Sequence, residues 1–137
     1  MELNILLVDD EPEIVSMIER NLSVEGYELD GVTSPEIALE KIKSEDYNIV
    51  ITDIKMPEID GVELLKRIKE IDGTIQVIMI TGYVEMSHLV SSLSNGAVDC
   101  IFKPLDFDKL IEAIEHCRSK LERWEEALGQ LRSIGEE

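Results

Sequence analysis

Five times along the chain a short aliphatic run gives way to an amphipathic stretch, the alternation that parallel strands joined by crossover helices require. The strand candidates are residues 4–9, 28–33, 48–53, 75–81 and 98–102. Four of them are rich in Ile, Val or Leu without clean alternation, as strands buried on both faces should be. The second differs. In Tyr27-Glu28-Leu29-Asp30 apolar and acidic residues alternate, so this strand is expected at a sheet edge with one face in water. The fold class that follows is α/β, a doubly wound sheet with the edge strand outermost in the order 2-1-3-4-5.

Helical periodicity fills the intervals. Ile14, Ile18 and Leu22 recur at four-residue spacing, Leu64 or Leu65 leads to Ile68 and Ile71, and Met86 leads to Leu89 or Val90 and then Leu93, each the apolar face of an amphipathic helix. Ser34-Pro35 places a cap before a proline at the first helical position, and Asn95-Gly96 supplies a stop after the fourth helix. That helix, roughly residues 83–94, contains Ser87, Ser91, Ser92 and Ser94. Their hydroxyls compete for backbone groups, which makes it the least stable of the five.

The fifth helix begins near Asp106 and keeps its pattern unusually long. Leu110, Ile114, Cys117, Leu121, Trp124, Leu128 and Leu131 follow one another at alternating four- and three-residue steps, a heptad seam. From Asp106 to Arg132 it would run roughly 40 Å, while a core of this size needs only about four turns. A globular domain over residues 1–120 is expected, with a helical extension over 121–137 that serves as a coiled-coil linker or a dimerisation helix. An exposed heptad finds a partner helix, so either a parallel homodimer or a downstream module would cover it.

The 137 residues suffice for one domain with a real core, and 44% hydrophobic content is ordinary for a soluble protein. The longest aliphatic runs, Ile5-Leu6-Leu7-Val8 and Val77-Ile78-Met79-Ile80, are four residues each, against roughly 20 for a membrane span. Met1-Glu2-Leu3-Asn4 lacks the basic and apolar regions of a secretory signal, which points to the cytoplasm. Cys100 and Cys117 lack metal-ligand spacing and read as free buried thiols in a reducing compartment. Thirty acidic against 13 basic residues give a formal charge of −17, which opposes direct binding to nucleic acid or anionic membranes.

In an open parallel sheet, ligands bind beyond the carboxyl ends of the strands where strand order reverses, here between the first and third strands. Asp9-Asp10 ends the first strand, Asp53 the third, Thr81 the fourth, and Lys103 the fifth, followed by Pro104. Singly, each has a plain role as a helix cap or turn residue. Together, three carboxylates in one crevice raise one another's pKa unless a cation neutralises them. All-oxygen ligands with open positions suit Mg²⁺. A carboxylate there can attack a phosphoryl group while fixed cations and hydrogen-bond donors stabilise the equatorial oxygens. Lys103 supplies such a cation and Thr81 a hydroxyl. Asp53 is the best nucleophile candidate because its strand is central.

The segments Leu7-Val8-Asp9-Asp10-Glu11, Asp53-Ile54-Lys55-Met56-Pro57-Glu58-Ile59-Asp60-Gly61, Thr81-Gly82-Tyr83 and Lys103-Pro104 resemble the receiver domain of two-component response regulators, over about residues 3–120. The resemblance implies a flavodoxin-like (βα)5 fold and a phosphoacceptor switch rather than an enzyme. By it, Asp53 accepts the phosphoryl group from a histidine kinase or a phosphotransfer protein. Asp10, Asp53 and the backbone carbonyl of Lys55 bind Mg²⁺ or Mn²⁺, with Asp9 acting through a metal-bound water. Lys103 and Thr81 bind the phosphoryl group, the Lys103–Pro104 peptide is cis, and Lys55 and Tyr83 influence the lifetime of the phosphorylated state. Output would pass through the face of helix 4, strand 5 and helix 5. The family's switch aromatic, three residues before the Lys, is replaced here by Cys100, so a readout through Thr81 and the serine-rich helix is expected.

Two other functions use parts of the same set. A phosphohydrolase with an aspartyl-phosphate intermediate would need a general acid two residues after Asp53, where Lys55 stands, and a cap segment that the sequence lacks. A non-phosphorylated adaptor would have no use for the intact set of acids, Thr and Lys.

Overall fold

β1 (Ile5–Val8) lies between β2 (Leu29–Val32) and β3 (Ile49–Asp53), and β4 (Gln76–Thr81) and β5 (Asp99–Phe102) extend the sheet beyond β3. All pairs are parallel in the computed structural model, which describes residues 1–82 and 85–135. The order 2-1-3-4-5 agrees with the pattern of aliphatic runs. β2 is the edge strand with Asp30 exposed, as its alternation requires. Pairing of β1 stops at Val8 and that of β5 at Phe102, so Asp9 and Lys103 stand just past the strand ends, free to point into the crevice.

Five helices connect and follow the strands: α1 (Pro12–Val24), α2 (Pro35–Ser44), α3 (Gly61–Ile71), α4 (Met86–Ser94) and α5 (Phe107–Gly135). Neighbouring residues on a strand face opposite ways, so Ile5 and Leu7 pack with Ile18 and Leu22 of α1 and Ile114 and Cys117 of α5. Leu6 and Val8 pack with Ala38 of α2 and with Leu64, Leu65 and Ile68 of α3. Ser34 caps α2 through Oγ, which accepts from the Ile37 amide at 3.4 Å, and Asp60 caps α3 through Oδ1, which accepts from Glu63 at 2.9 Å. Ile71 of the expected α3 stripe is exposed.

α4 departs from its expected packing. Its first described turn begins at Met86, and the apolar residues Met86, Val90 and Leu93 are 70%, 52% and 56% exposed, whereas Ser92 is buried. Ser92 Oγ donates to the His88 carbonyl at 2.8 Å, which satisfies it inside its own helix. The cluster on that side of the sheet is completed by Met79, Ala97 and Cys100 together with α3, and no described α4 side chain belongs to it. The helix therefore approaches the sheet through a small hydroxyl, with Leu89 half-buried, and turns Met86, Val90 and Leu93 outward.

The seam of α5 divides in two. Leu110, Ala113, Ile114, Cys117 and Leu121 are buried against the sheet, while Trp124, Leu128, Leu131 and Ile134 are 43% to 68% exposed. Where the helix leaves the globule, Arg118 ties α5 to the N-terminus: its Nε donates to Glu115 at 3.0 Å and its Nη1 to the Met1 carbonyl at 2.6 Å. Tyr27, just before β2, donates its hydroxyl to the same Glu115 at 2.5 Å.

Candidate functional site at the strand ends

Asp9 follows β1 directly. Its amide donates to the Val32 carbonyl at 3.2 Å, and its Oδ1 accepts from the Glu11 amide at 2.9 Å, so the side chain is tied to the turn that starts α1. Asp9 is fully buried and the adjacent Asp10 is half-buried. Asp53 is the last residue of β3 and is 5% exposed. The Ile54 amide donates to the Ile80 carbonyl at 3.0 Å and the Thr52 hydroxyl to the Asp53 carbonyl at 3.0 Å, which fixes the backbone on both sides of the carboxylate.

Lys103 closes the group from β5. Its amide donates to the Thr81 carbonyl at 2.8 Å, its peptide bond to Pro104 is cis, and its Nζ lies 3.1 Å from both Asp9 Oδ2 and Asp53 Oδ2. Thr81 is buried at the end of β4, one residue beyond Ile80, the register partner of Asp53. The Lys55 amide reaches Asp53 Oδ1 at 3.4 Å, and its side chain is exposed.

One carboxylate oxygen from each of Asp9, Asp10 and Asp53 lies within 4.8 Å of the others. Burial pushes the Asp53 carboxyl above its usual range, against the bond and charge of Lys103, and the negative charge of Asp9 adds to the rise. Burial alone would lower Lys103, but its bonds and charge contacts with Asp53 and Asp9 outweigh that and raise it. Lys103 Nζ meets two of the three carboxylates, those of Asp9 and Asp53. An all-oxygen group of three converging acids fits a hard divalent cation such as Mg²⁺ or Mn²⁺. Among the described residues no other group of three His, Cys, Asp or Glu side chains converges in this way.

Not every residue singled out in the sequence lies in this group. Cys100 sits on β5 beside Met79, half-buried against the α3 side of the core rather than fully buried, and burial raises its thiol pKa. Cys117 is fully buried in the other cluster, its thiol pushed up to about 11 by burial. Tyr83 lies outside the described residues. Conversely, Gly61 matters for a reason that spacing alone does not reveal. Its amide donates to the Ile54 carbonyl at 2.6 Å, and a Cβ there would run into the Asp53 carbonyl oxygen and come within 2.8 Å of Ile54 Cα. The only signal in the sequence is its place in the segment that follows Asp53. Glu58, in the same connection, holds a positive φ of 71°.

The sequence model of the response regulator receiver domain matches residues 5–115. The transcriptional regulatory protein ZraR of Klebsiella oxytoca is 37% identical over 121 residues, 85% of this chain and 27% of its own length. Sporulation initiation phosphotransferase F of Bacillus subtilis is 35% identical over 115 residues, 84% of this chain and 93% of its own. Among solved structures, a CheY-like receiver domain protein from Methanospirillum hungatei matches with a TM-score of 0.85 at 33% identity, covering 90% of this chain and 98% of that one. The beryllofluoride-activated NtrC4 receiver domain dimer matches with a TM-score of 0.80 at 32% identity, covering 85% and 97%. The chain spans about a quarter of the length of the ZraR regulators. Since the match runs through every element from β1 into α5, the chain belongs to the response regulator receiver domains, which are signalling domains rather than classical enzymes.

Proposed function

We propose that this domain is a phosphorylation switch in which Asp53 accepts a phosphoryl group from a histidine kinase or a phosphotransfer protein. The observation that supports it most strongly is Lys103 Nζ at 3.1 Å from the carboxylates of both Asp9 and Asp53, beside Asp10. Asp10, Asp53 and the Lys55 carbonyl would hold Mg²⁺ or Mn²⁺ directly, and Asp9 through a water. The ion supplies positive charge that offsets the carboxylates and steadies phosphoryl oxygens.

An Asp53 carboxylate oxygen adds to phosphorus as the bond from phosphorus to the donor's imidazole nitrogen breaks in line with it. Lys103 then exchanges one carboxylate contact for a phosphoryl oxygen, and the Thr81 hydroxyl donates to another. Slow hydrolysis of the acyl phosphate resets the switch, with Lys55 and Tyr83, two residues beyond Asp53 and Thr81, setting access of water. Thr81 also begins the connection to α4, whose one buried residue among those described is Ser92. With Cys100 in place of a ring, the phosphoryl contacts of Thr81 bias α4 between two arrangements of the α4, β5 and α5 face. Met86, Val90, Leu93 and Phe102 make that face apolar.

The formal charge of −17 disfavours direct nucleic-acid contacts by this segment. No helix of the described residues is long and apolar enough to cross a membrane, and action in the cytoplasm is proposed. The α5 extension offers a route to a second copy or a downstream module. Intact-mass spectrometry after incubation with acetyl phosphate and Mg²⁺ tests the switch. A labile phosphoryl adduct, absent in Asp53→Asn, is expected. No adduct on the unaltered protein would favour an adaptor that works through its surface alone.

A further inference from the structure

Thr52 precedes the proposed acceptor on β3, and its side chain is fully buried. Alternation along the strand puts it on the face of Val50, in the cluster that α2 and α3 cover. Valine would suit that cluster in shape. What threonine adds is a hydroxyl, which is costly to bury without a partner. We propose that this hydroxyl is a positioning group for the phosphoacceptor: by holding the Asp53 carbonyl it fixes the aim of the Asp53 carboxylate. The proposal rests on the reading of Asp53 as acceptor and extends it to a residue that acts only through the main chain.

The Ile54 amide donates to the Ile80 carbonyl of β4 at 3.0 Å. The carbonyl of Asp53 is the other half of the same planar, trans peptide group, so it points the opposite way, toward β1. No paired strand meets it there. The pairing of β1 with β3 ends at Val8 opposite Thr52, and the following amide, that of Asp9, serves the other neighbour at the Val32 carbonyl of β2. The Thr52 hydroxyl takes the place of a ladder donor, 3.0 Å from the Asp53 carbonyl oxygen. Both ends of the peptide group after Asp53 are thus held, and the next carbonyl, that of Ile54, accepts from the Gly61 amide at 2.6 Å. These bonds set the backbone angles on which the Asp53 carboxylate and the Lys55 carbonyl depend.

Without the hydroxyl, the Asp53 carbonyl keeps its place only by packing against Gly61. The peptide group then rolls about its remaining bond to Ile80, and Asp53 Oδ2 leaves its 3.1 Å contact with Lys103. Misplacing a reacting atom by about 1 Å costs on the order of 100-fold in rate. A loss of about tenfold is expected here, because the bonds at Ile80 and Gly61 remain.

Thr52→Val removes the hydroxyl and keeps the shape, whereas Thr52→Ser keeps the hydroxyl and drops a methyl. Two measurements on the whole 137-residue chain, under conditions where every variant is folded, read the effect. One is the rate of adduct formation with acetyl phosphate at saturating Mg²⁺, followed by intact mass. The other is the Mg²⁺ concentration at half-saturation without phosphoryl donor, followed by amide shifts in NMR. Thr52→Val should lose about tenfold in each, and Thr52→Ser should recover both to within about twofold of the unaltered chain. A role in stability alone would lower the urea midpoint of Thr52→Val and leave the rate and Mg²⁺ affinity of the folded protein unchanged, which would overturn the proposal. So would a Thr52→Ser variant as impaired as Thr52→Val. No adduct on the unaltered chain would instead overturn the reading of Asp53 as acceptor, and the Mg²⁺ titrations would still decide whether Thr52 positions its carboxylate.

Discussion

Lys103 Nζ stands 3.1 Å from Oδ2 of Asp53, and the same ammonium is equally close to Asp9. Two buried carboxylates thus depend on one cation whose own side chain is only 19% exposed. Removing it in Lys103→Met leaves their charge uncompensated, which should cost about 3–5 kcal/mol in the absence of divalent ions. Mg²⁺ should recover more stability in this variant than in the unaltered chain, because its charge replaces the missing ammonium. Urea unfolding with and without Mg²⁺ measures both effects, and an equal gain in the two proteins would contradict the reading.

Gly61 lies against the backbone of Asp53 and Ile54, where a methyl group has no room. Gly61→Ala should destabilise the domain by about 1–3 kcal/mol through forced displacement of that backbone. It should also slow phosphorylation by acetyl phosphate under conditions where the variant remains folded. Full stability with full phosphorylation would show that the contact is not required.

The Tyr27–Glu115 bond predicts a pH signature. Burial, then the bond and charge of Glu115, push Tyr27 up from 10.0 to about 12. The bond from Tyr27 is the main reason that Glu115 lies below its usual 4.5. The raised Tyr27 contributes stability that is complete below pH 10.0 and is lost as pH rises through its folded value near 12. The lowered Glu115 contributes stability present above 4.5 and lost as pH falls through its folded value. Tyr27→Phe should therefore cost about 1 kcal/mol near neutrality, with the deficit shrinking toward both ends of the pH range. Urea midpoints across pH give this difference directly, and a deficit independent of pH would count against it.

The outward stripe of α4 makes a further prediction. Val90→Lys and Leu93→Lys should each alter stability by less than about 0.5 kcal/mol, where a core position would lose about 2–5 kcal/mol on truncation alone. Ser92→Leu, at the one buried position of the helix, should be the destabilising change. Chemical denaturation of the three variants separates the two orientations.

The sheet was legible because aliphatic runs without alternation mean strands covered on both faces, and because acids, Thr and Lys at strand ends share one edge once the order is known. Asp9, Asp10, Asp53 and Lys103 converge as that reading expects. The α4 face was not legible. Periodicity in Met86, Val90 and Leu93 shows that a helix has an apolar side but not which way it turns, and the sheet beneath is already packed by α3, Ala97 and Cys100. The close approach of Gly61 and the Arg118 link to Met1 join residues far apart in the chain or touch only backbone, so no local pattern announces them. The α5 seam was legible as a heptad, while its division into covered and open halves at Leu121 depends on where the sheet ends.

The acceptor itself can be read chemically. After incubation with acetyl phosphate and Mg²⁺, borohydride reduction converts an aspartyl phosphate to homoserine, and peptide mass spectrometry locates it. Homoserine is expected at position 53, dependent on Mg²⁺ and absent from positions 9 and 10. Homoserine at Asp9 or Asp10, or none at Asp53, would contradict it.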